Sequence, residues 1–399
     1  MKKDIKVIIA GGGIGGLSAA LALLRQGFDV EVYEQAKELR EVGAGIQISP
    51  NGSRALDALG IYENVKADSC NPEKKEFRLW NTGKSWLLFD LGDDAVEKYG
   101  YPYLTVYRPD LLKALVDGVE AIKPNAIHLD SKVHSFSQDK DSIKLKLENG
   151  QEISGDLLIG ADGVRSAIRN QLWGPTNPNF SGMVAWRGVI PMKNLPEHLQ
   201  KMVGSTWIGP GGHAVNYPLH RGEIMNFVGT IERKDWQVES WSTQGTVEEC
   251  LNDFKGWHED VQTMIRLSPQ LFKWALMQRD PIPQWTQGRV TLVGDAAHAT
   301  LPFLAQGAVQ SIEDGVVLAR CLDKYVHDLP LAFEKYESAR IERTSKMVRG
   351  ATANTGRFHS AELETEEGAE AYLQREWSSN PIADRYDWLY RYDVLTAEI

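Results

Sequence analysis

The hydrophobic pattern of this chain opens with a short continuous run and then changes period. Residues 4–10 end in Val7-Ile8-Ile9-Ala10, too continuous for a half-solvated strand and suited to one buried on both faces. Residues 16–26 follow as a helix. Residues 29–34, Asp-Val-Glu-Val-Tyr-Glu, alternate with period two and predict a second strand ending in an acid. Strand, helix and strand in that order make a βαβ unit.

Further along, the pattern predicts a helix over 51–59 stopped by Gly60, and another over 108–119 with Pro109 at its start. Residues 127–156 read as small antiparallel strands around Glu148-Asn149-Gly150, and 157–160 as a short buried strand. Residues 183–231 read as β-strands joined by tight turns such as His220-Arg221-Gly222. Residues 246–268 read as helical and 289–293 as a buried strand. A long helix is predicted over 307–322 and an amphipathic one over 331–348. Residues 76–91 are short and mixed, an excursion from the first unit. The acidic stretch 362–370 reads as a solvated segment, and the aromatic tail 386–392 as packing on the body or a neighbour.

Composition narrows this little. With 399 residues the chain holds two or three domains' worth of material, and 42% hydrophobic with 25% charged residues is ordinary for a soluble globular protein. A net charge of −10 argues against nucleic acid as a partner. Cys70, Cys250 and Cys321 form no CxxC pair and stand at no metal-ligand spacing, so reduced thiols, a cytoplasmic location and no metal are expected. Met1-Lys2-Lys3 before the uncharged stretch 7–24 could pass for a secretion signal, but the glycines within it break the continuous apolar helix that a signal needs. No other stretch is long and apolar enough to span a membrane.

The glycines carry chemistry. In Gly11-Gly12-Gly13-Ile14-Gly15-Gly16, Gly11 permits a tight turn, Gly13 lets backbone approach a pyrophosphate, and Gly16 lets helix and strand pack closely. Glu34 stands where a carboxylate meets ribose hydroxyls. Asp162 and Gly163 follow the strand 157–160, and Arg165 and Arg169, four apart, are expected to share a helix face and meet phosphate; Asp162 as a plain helix cap is the alternative. Gly294-Asp295-Ala296-Ala297-His298 ends a third buried strand. Pro302 then stiffens a loop that feeds the helix starting near Gly307-Ala308, whose positive end could face a flavin ring. The two distant motifs together indicate FAD and a Rossmann-like α/β fold.

These residues resemble the single-component FAD-dependent aromatic hydroxylases. The resemblance rests on Gly11/Gly13/Gly16 with Glu34, on Asp162-Gly163 with Ser166 and Arg169, and on Gly294-Asp295 with His298 and Pro302. Within that family, 212–219 (Gly-His-Ala-Val-Asn-Tyr-Pro-Leu), 301–308 and 101–105 are similar to the salicylate hydroxylase, 3-hydroxybenzoate 6-hydroxylase and 6-hydroxynicotinate 3-monooxygenase groups. The segments 43–51, with Gly45, and 108–111, with Arg108, look like family segments that touch the flavin. The implied fold is an FAD-binding domain at 1–75, 98–180 and 275–345, an inserted β-rich substrate domain at 76–97 and 181–274, and a C-terminal helical and aromatic tail at 346–399.

The implied activity is hydroxylation of a hydroxylated aromatic or pyridine carboxylate with NADH or NADPH and O2, through a flavin C4a-hydroperoxide. In an extended strand His213, Val215 and Tyr217 share one face. His213 is the expected base for the ring hydroxyl, its ordinary imidazole pKa lying in the useful range. Tyr217 and Tyr103 orient the ring, and Val215 and Pro302 complete the substrate and catalytic wall. His298 is expected to be structural. NAD(P)H is expected in a groove near Arg165 and Arg169, and the protein to be a monomer or homodimer. Another flavin oxidoreductase, or a non-catalytic FAD-fold binding protein, remains the alternative.

Overall fold

The computed structural model describes residues 2–39, 44–233, 235, 243–377 and 379–399. Gly43, the first residue of the 43–51 segment, lies outside them. Five parallel strands form one sheet, in the spatial order Val290–Leu292, Leu157–Gly160, Lys6–Ala10, Asp29–Tyr33, Ile127–His128. Val7 stands between Leu157 and Val30, and Leu158 beside Val290. Val7, Ile8, Ile9 and Leu157 to Ile159 are wholly buried, as a strand covered on both faces requires.

One cover is the helix Ile14–Arg25, crossed by the helix Gly307–Lys324. A methyl group on Gly315 would stand 2.7 Å from the Ser18 and Ala19 backbone, so only glycine permits the crossing. The crossing helix also carries Glu313 and Asp314, both fully buried. Arg340, from the helix Leu329–Phe358, donates to Glu313 at 2.7 Å and to Asp314 at 2.8 Å; His298 Nε2 lies 2.6 Å from Asp314. His298 therefore belongs to a buried charge network, which places it in the framework.

The second sheet has eight strands in the order Gln244–Gly245, Leu271–Gln278, Asn179–Pro191, Ile224–Glu232, Gly212–Leu219, Val203–Gly209, Lys74–Leu79, Ser85–Asp90. All neighbours are antiparallel except Val203–Gly209 with Lys74–Leu79. One face, with Trp186, Trp207 and Phe227, packs on the helices Val247–Asp253 and Glu259–Arg266. The other, with Phe77, Ile208 and Trp274, packs on the loop 301–304 and the C-terminal segments.

Three expectations change. The ladder runs through Gln278 to Asn179, and Lys74 already pairs with Asp90, so the second sheet starts and ends outside the expected bounds at 76, 181 and 274. The helix Leu329–Phe358 passes unbroken through the expected boundary at 345. Residues 246–268 form two helices, because Gly256 turns the chain at φ +85°. The acidic stretch enters the helix Glu366–Trp377 with Glu362, Glu364, Glu367 and Glu370 exposed, as a solvated segment requires, and with Leu363 and Ala369 buried. Among the described residues no helix is long and apolar enough to cross a membrane.

Candidate active site

The three motifs meet at the C-terminal ends of three adjacent parallel strands, where open α/β sheets hold ligands. They border a cleft of about 480 Å3 that runs from Gly13 to the second sheet. The glycine turn divides its tasks by space. A Cβ on Gly11, at φ +111°, would lie 2.3 Å from the Ala161 carbonyl oxygen, and one on Gly16 would lie 2.0 Å from the Gly11 oxygen. Gly13, by contrast, has nothing within 4 Å of a Cβ and faces the cleft. Gly15 sits against Gly294, 3.7 Å from a Cβ position to that Cα, so motifs far apart in sequence touch.

Glu34 lies beside this turn, its carboxylate accepting from the Gly12 amide at 2.6 Å and the Ala36 amide at 2.8 Å. Asp162 supports the start of the helix that Ser166 caps: its Oδ2 accepts from Ala167 N at 2.7 Å and Ile168 N at 3.2 Å. Its Oδ1 is buried without a partner among the described residues, next to Ala161 and Gly163 of the cleft wall. Burial raises the Asp162 carboxyl above its ordinary range, against hydrogen bonds that lower it.

The shared face of Arg165 and Arg169 is not formed. The helix is Ala167–Trp173, capped by Ser166, so Arg165 precedes it and is exposed. Arg169 points inward, buried, with Nη1 3.4 Å from the Ala296 carbonyl oxygen; burial, then the Arg279 charge, pulls it down to about 10. It cannot border a surface groove.

Asp295 is exposed on the cleft wall at the first position of the helix Asp295–His298, with Arg108 facing the same space. The helix Gly307–Lys324 starts there too. No side chain caps it: Gln306 instead donates to Ser49 Oγ at 2.8 Å. The first-turn amides, with Gly307 and Ala308 on the wall, are left to face a ligand.

These features fit FAD. The open space before Gly13, the uncapped helix start and the orphaned Asp162 Oδ1 are what a pyrophosphate, a flavin ring and a ligand hydroxyl would each satisfy. Gly45 lies at the join with the ring pocket, and a Cβ there would stand 2.6 Å from Tyr217 Oη.

On the strand Gly212–Leu219, His213, Val215 and Tyr217 line the pocket, while Ala214 and Asn216 turn to the other face, where Trp207 Nε1 donates to Asn216 Oδ1 at 2.9 Å. Pro302 and Phe303 form part of the opposite wall, held by Asn354 Nδ2 donating to the Phe303 carbonyl oxygen at 2.9 Å. Burial, reinforced by the neighbouring His359, pushes His213 well below the ordinary imidazole range, which corrects the expectation of an unperturbed base. Burial raises the Tyr217 phenol, so it stays protonated.

Tyr103 stands one layer back. It is buried behind the wall, donates to Gln47 Oε1 at 2.7 Å and accepts from Lys75 Nζ at 3.2 Å. Lys75 and Gln47 are the side chains that reach the pocket. Neither was foreseen; Lys75 in Lys-Lys-Glu reads as a solvated charge. Burial pulls Lys75 down to about 8, and no carboxylate pairs with it among the described residues. Phe358 and Tyr386 of the tail also line the pocket. The tail does pack on the body, as its aromatic content implied, but the surface it packs on includes the site.

Comparison with known proteins gives the same picture. The family model described as an FAD binding domain matches residues 4–351. The chain is 37% identical over 396 residues to a 3-hydroxybenzoate 6-hydroxylase of Polaromonas naphthalenivorans (98% of this chain, 97% of that one). It is 35% identical to a 6-hydroxynicotinate 3-monooxygenase of Pseudomonas fluorescens (89% and 92%). The Klebsiella pneumoniae HpxO structure complexed with FAD and uric acid superposes with a TM-score of 0.83 at 26% identity, covering 100% of this chain and 98% of the other. On the matched domain and the relatives aligned over most of its length, the chain belongs to the FAD-dependent aromatic-ring monooxygenase family.

Proposed function

We propose that this enzyme hydroxylates a small aromatic or pyridine ring bearing a carboxylate and a ring hydroxyl, with NAD(P)H and O2 as co-substrates. The observation that carries the substrate class is Lys75. A half-buried ammonium on the pocket wall, with no acidic partner among the described residues, is costly unless a ligand supplies the charge. It stands in one pocket with a neutral histidine and two faces of aromatic and aliphatic side chains. Both named relatives act on a ring that carries acid and hydroxyl groups.

FAD would be held by Gly11, Gly13, Gly15 and Gly16 at its phosphates, by Glu34 at the ribose, and by Gly45, Arg108, Asp162, Asp295, Gly307 and Ala308 toward the flavin. When bound and reduced by NAD(P)H it supplies the activated oxygen for the ring. The chain does the rest. Lys75, braced by Tyr103, meets the carboxylate. His213 takes the proton from the ring hydroxyl, leaving an electron-rich phenolate. Tyr217 fixes the ring's orientation, with Val215 beneath it. Pro302, Phe303, Trp274 and Phe358 keep water out. Arg165, exposed near the cleft, is the remaining basic side chain of the expected NAD(P)H groove.

The test is NADH and NADPH oxidation by the FAD-loaded protein against salicylate, 3-hydroxybenzoate, 4-hydroxybenzoate, anthranilate and 6-hydroxynicotinate, with product mass and CO2 recorded. Substrate-stimulated oxidation that yields a hydroxylated acid supports the reading; CO2 release marks attack at the carboxylated carbon. If none of the five stimulates oxidation, the aromatic-acid reading falls.

A further inference from the structure

His213 does not stand alone. Its Nδ1 lies 2.7 Å from Nε2 of His359, and His359 Nδ1 lies 2.8 Å from Glu232 Oε1. His213 is buried, as is the His359 side chain, whereas the Glu232 side chain is 53% exposed. A single file of three groups thus joins the ring pocket to solvent. Its members come from three parts of the fold: the strand Gly212–Leu219, the end of the helix Leu329–Phe358, and the last position of the strand Ile224–Glu232.

The order of the groups fixes every proton. A carboxylate is acceptor only, so His359 Nδ1 carries the hydrogen that it donates to Glu232. A neutral imidazole has one N–H, so His359 Nε2 is then an acceptor. Burial, which outweighs the Glu232 hydrogen bond, disfavours the charged form of His359. His213 must therefore donate from Nδ1, and its Nε2 is left with a free lone pair. Phe303 and Phe358 pack on the His213 ring, with centroids 4.8 and 5.2 Å away, and hold its plane.

We propose that Glu232 and His359 are positioning residues that lock His213 in the tautomer with a basic Nε2, and that they conduct the ring-hydroxyl proton to the surface. The inference rests on the assignment of His213 as base. The proton of the ring O–H passes to His213 Nε2 as the His213 Nδ1 proton passes to His359 Nε2 and the His359 Nδ1 proton to the Glu232 carboxylate, which releases it to water. No group in the file ends charged within the buried part. The same path run backwards returns a proton to the product oxygen and restores both tautomers. A direct transfer to an isolated His213 would instead leave an imidazolium in a site that strongly disfavours it.

The test reads tautomers first and needs no substrate. Long-range nitrogen–proton correlation spectra of the histidine-labelled, FAD-loaded enzyme at neutral pH should show His213 and His359 both neutral and protonated at Nδ1. His359→Leu should leave His213 without a single tautomer, whereas His359→Gln, whose amide can accept from His213 and donate to Glu232, should preserve it. Stopped-flow absorbance with 4-hydroxy-3-nitrobenzoate then reads proton removal. Its phenolate should form roughly tenfold or more slowly in both variants, because an amide orients but does not relay. Glu232→Leu, at an exposed position, carries the same test if His359→Leu does not fold: His359 should lose its fixed tautomer. His213 protonated at Nε2 in the native enzyme, or an unchanged tautomer and phenolate rate in folded His359→Leu, overturns the proposal. If the nitrophenol fails to bind while the tautomers are as stated, the aromatic-acid reading falls and the lock stands.

Discussion

Lys75 and Tyr103 meet behind the pocket wall: the ammonium donates to the phenol oxygen at 3.2 Å and stands 5.1 Å from the ring centroid. The phenol spends its own proton on Gln47. The lysine thus has a neutral brace but no counter-ion among the described residues, and its direction is set before any ligand arrives. Lys75→Met should weaken binding of the carboxylated substrate by about 2–3 kcal/mol, roughly 30- to 160-fold in Kd. The matching neutral amide should bind equally well to both proteins. Titration of the flavin absorbance with acid and amide measures this. Because burial pulls Lys75 down to about 8, affinity for the acid should be full below that pH and fall as pH rises through it.

Gly13 and Gly16 separate cofactor binding from folding. Gly16→Ala places a methyl group 2.0 Å from the Gly11 oxygen and should disrupt the turn itself. Gly13 has an ordinary φ of −75° and open space, so Gly13→Ala should fold with an unchanged apoprotein melting temperature yet hold FAD less tightly. Flavin content after gel filtration, beside a thermal melt of the stripped protein, reads both. Full flavin retention in Gly13→Ala would place the pyrophosphate elsewhere.

His213→Ala removes the base without touching the cofactor cradle. Flavin content should be native, and coupled hydroxylation should drop roughly 10²- to 10⁴-fold. The comparison of NAD(P)H consumed with product formed decides it. Normal coupling in this variant would exclude His213 as the base.

The buried network around Arg340 predicts a stability effect far from the ring. Arg340→Met removes the guanidinium that joins Glu313 to Asp314, leaving Glu313 to Arg343 and Asp314 to His298, and should cost about 3–5 kcal/mol in urea unfolding. Burial by itself would raise the Asp314 carboxyl, but His298 and Arg340 hold it at about 2. Its unfolded value is about 3.9, so the folded pKa is the lower of the two. The stabilisation is therefore complete above about pH 4 and is lost as pH falls toward 2. Unfolding curves across that window should lose this slope in Asp314→Asn.

What the sequence made legible was local. Three strands of the parallel sheet, Lys6–Ala10, Leu157–Gly160 and Val290–Leu292, are largely apolar runs that lead into glycine turns, and the glycines are required by contacts at Gly11 and Gly16 that any larger residue would break. The strand Leu271–Gln278 was missed, because Lys273 and Trp274 interrupt its pattern; Lys273 is buried over the Trp186 ring, a pairing only the folded sheet creates. The pocket was half legible. His213, Val215 and Tyr217 follow from a period of two on one strand. Lys75 looked like any charged residue beside another lysine, and His359 is a lone histidine at a helix end. The chemistry of Lys75 comes from its place on the pocket wall, and that of His359 from burial and from partners more than a hundred residues away. Arg169 erred for the opposite reason: spacing placed it on a surface helix, and the helix start two residues after Arg165 turned it inward.

The helix Leu329–Phe358 has a consequence for how the enzyme is put together. Its first half supplies Arg340 to the framework, and its end delivers Phe358 to the ring pocket, where Tyr386 joins it, and His359 to the His213 ring behind. The family match stops at residue 351, before all three. During synthesis the parallel sheet is complete once Val290–Leu292 has left the ribosome, while the pocket wall lacks Phe358 and Tyr386 until the C-terminal segment follows. The nascent chain can seat its cofactor in an open cleft and only then seal the ring pocket over it. A chimera that takes the residues after 351 from a relative would exchange that wall, and the outer part of the proton path, while leaving the cradle of the flavin as it is.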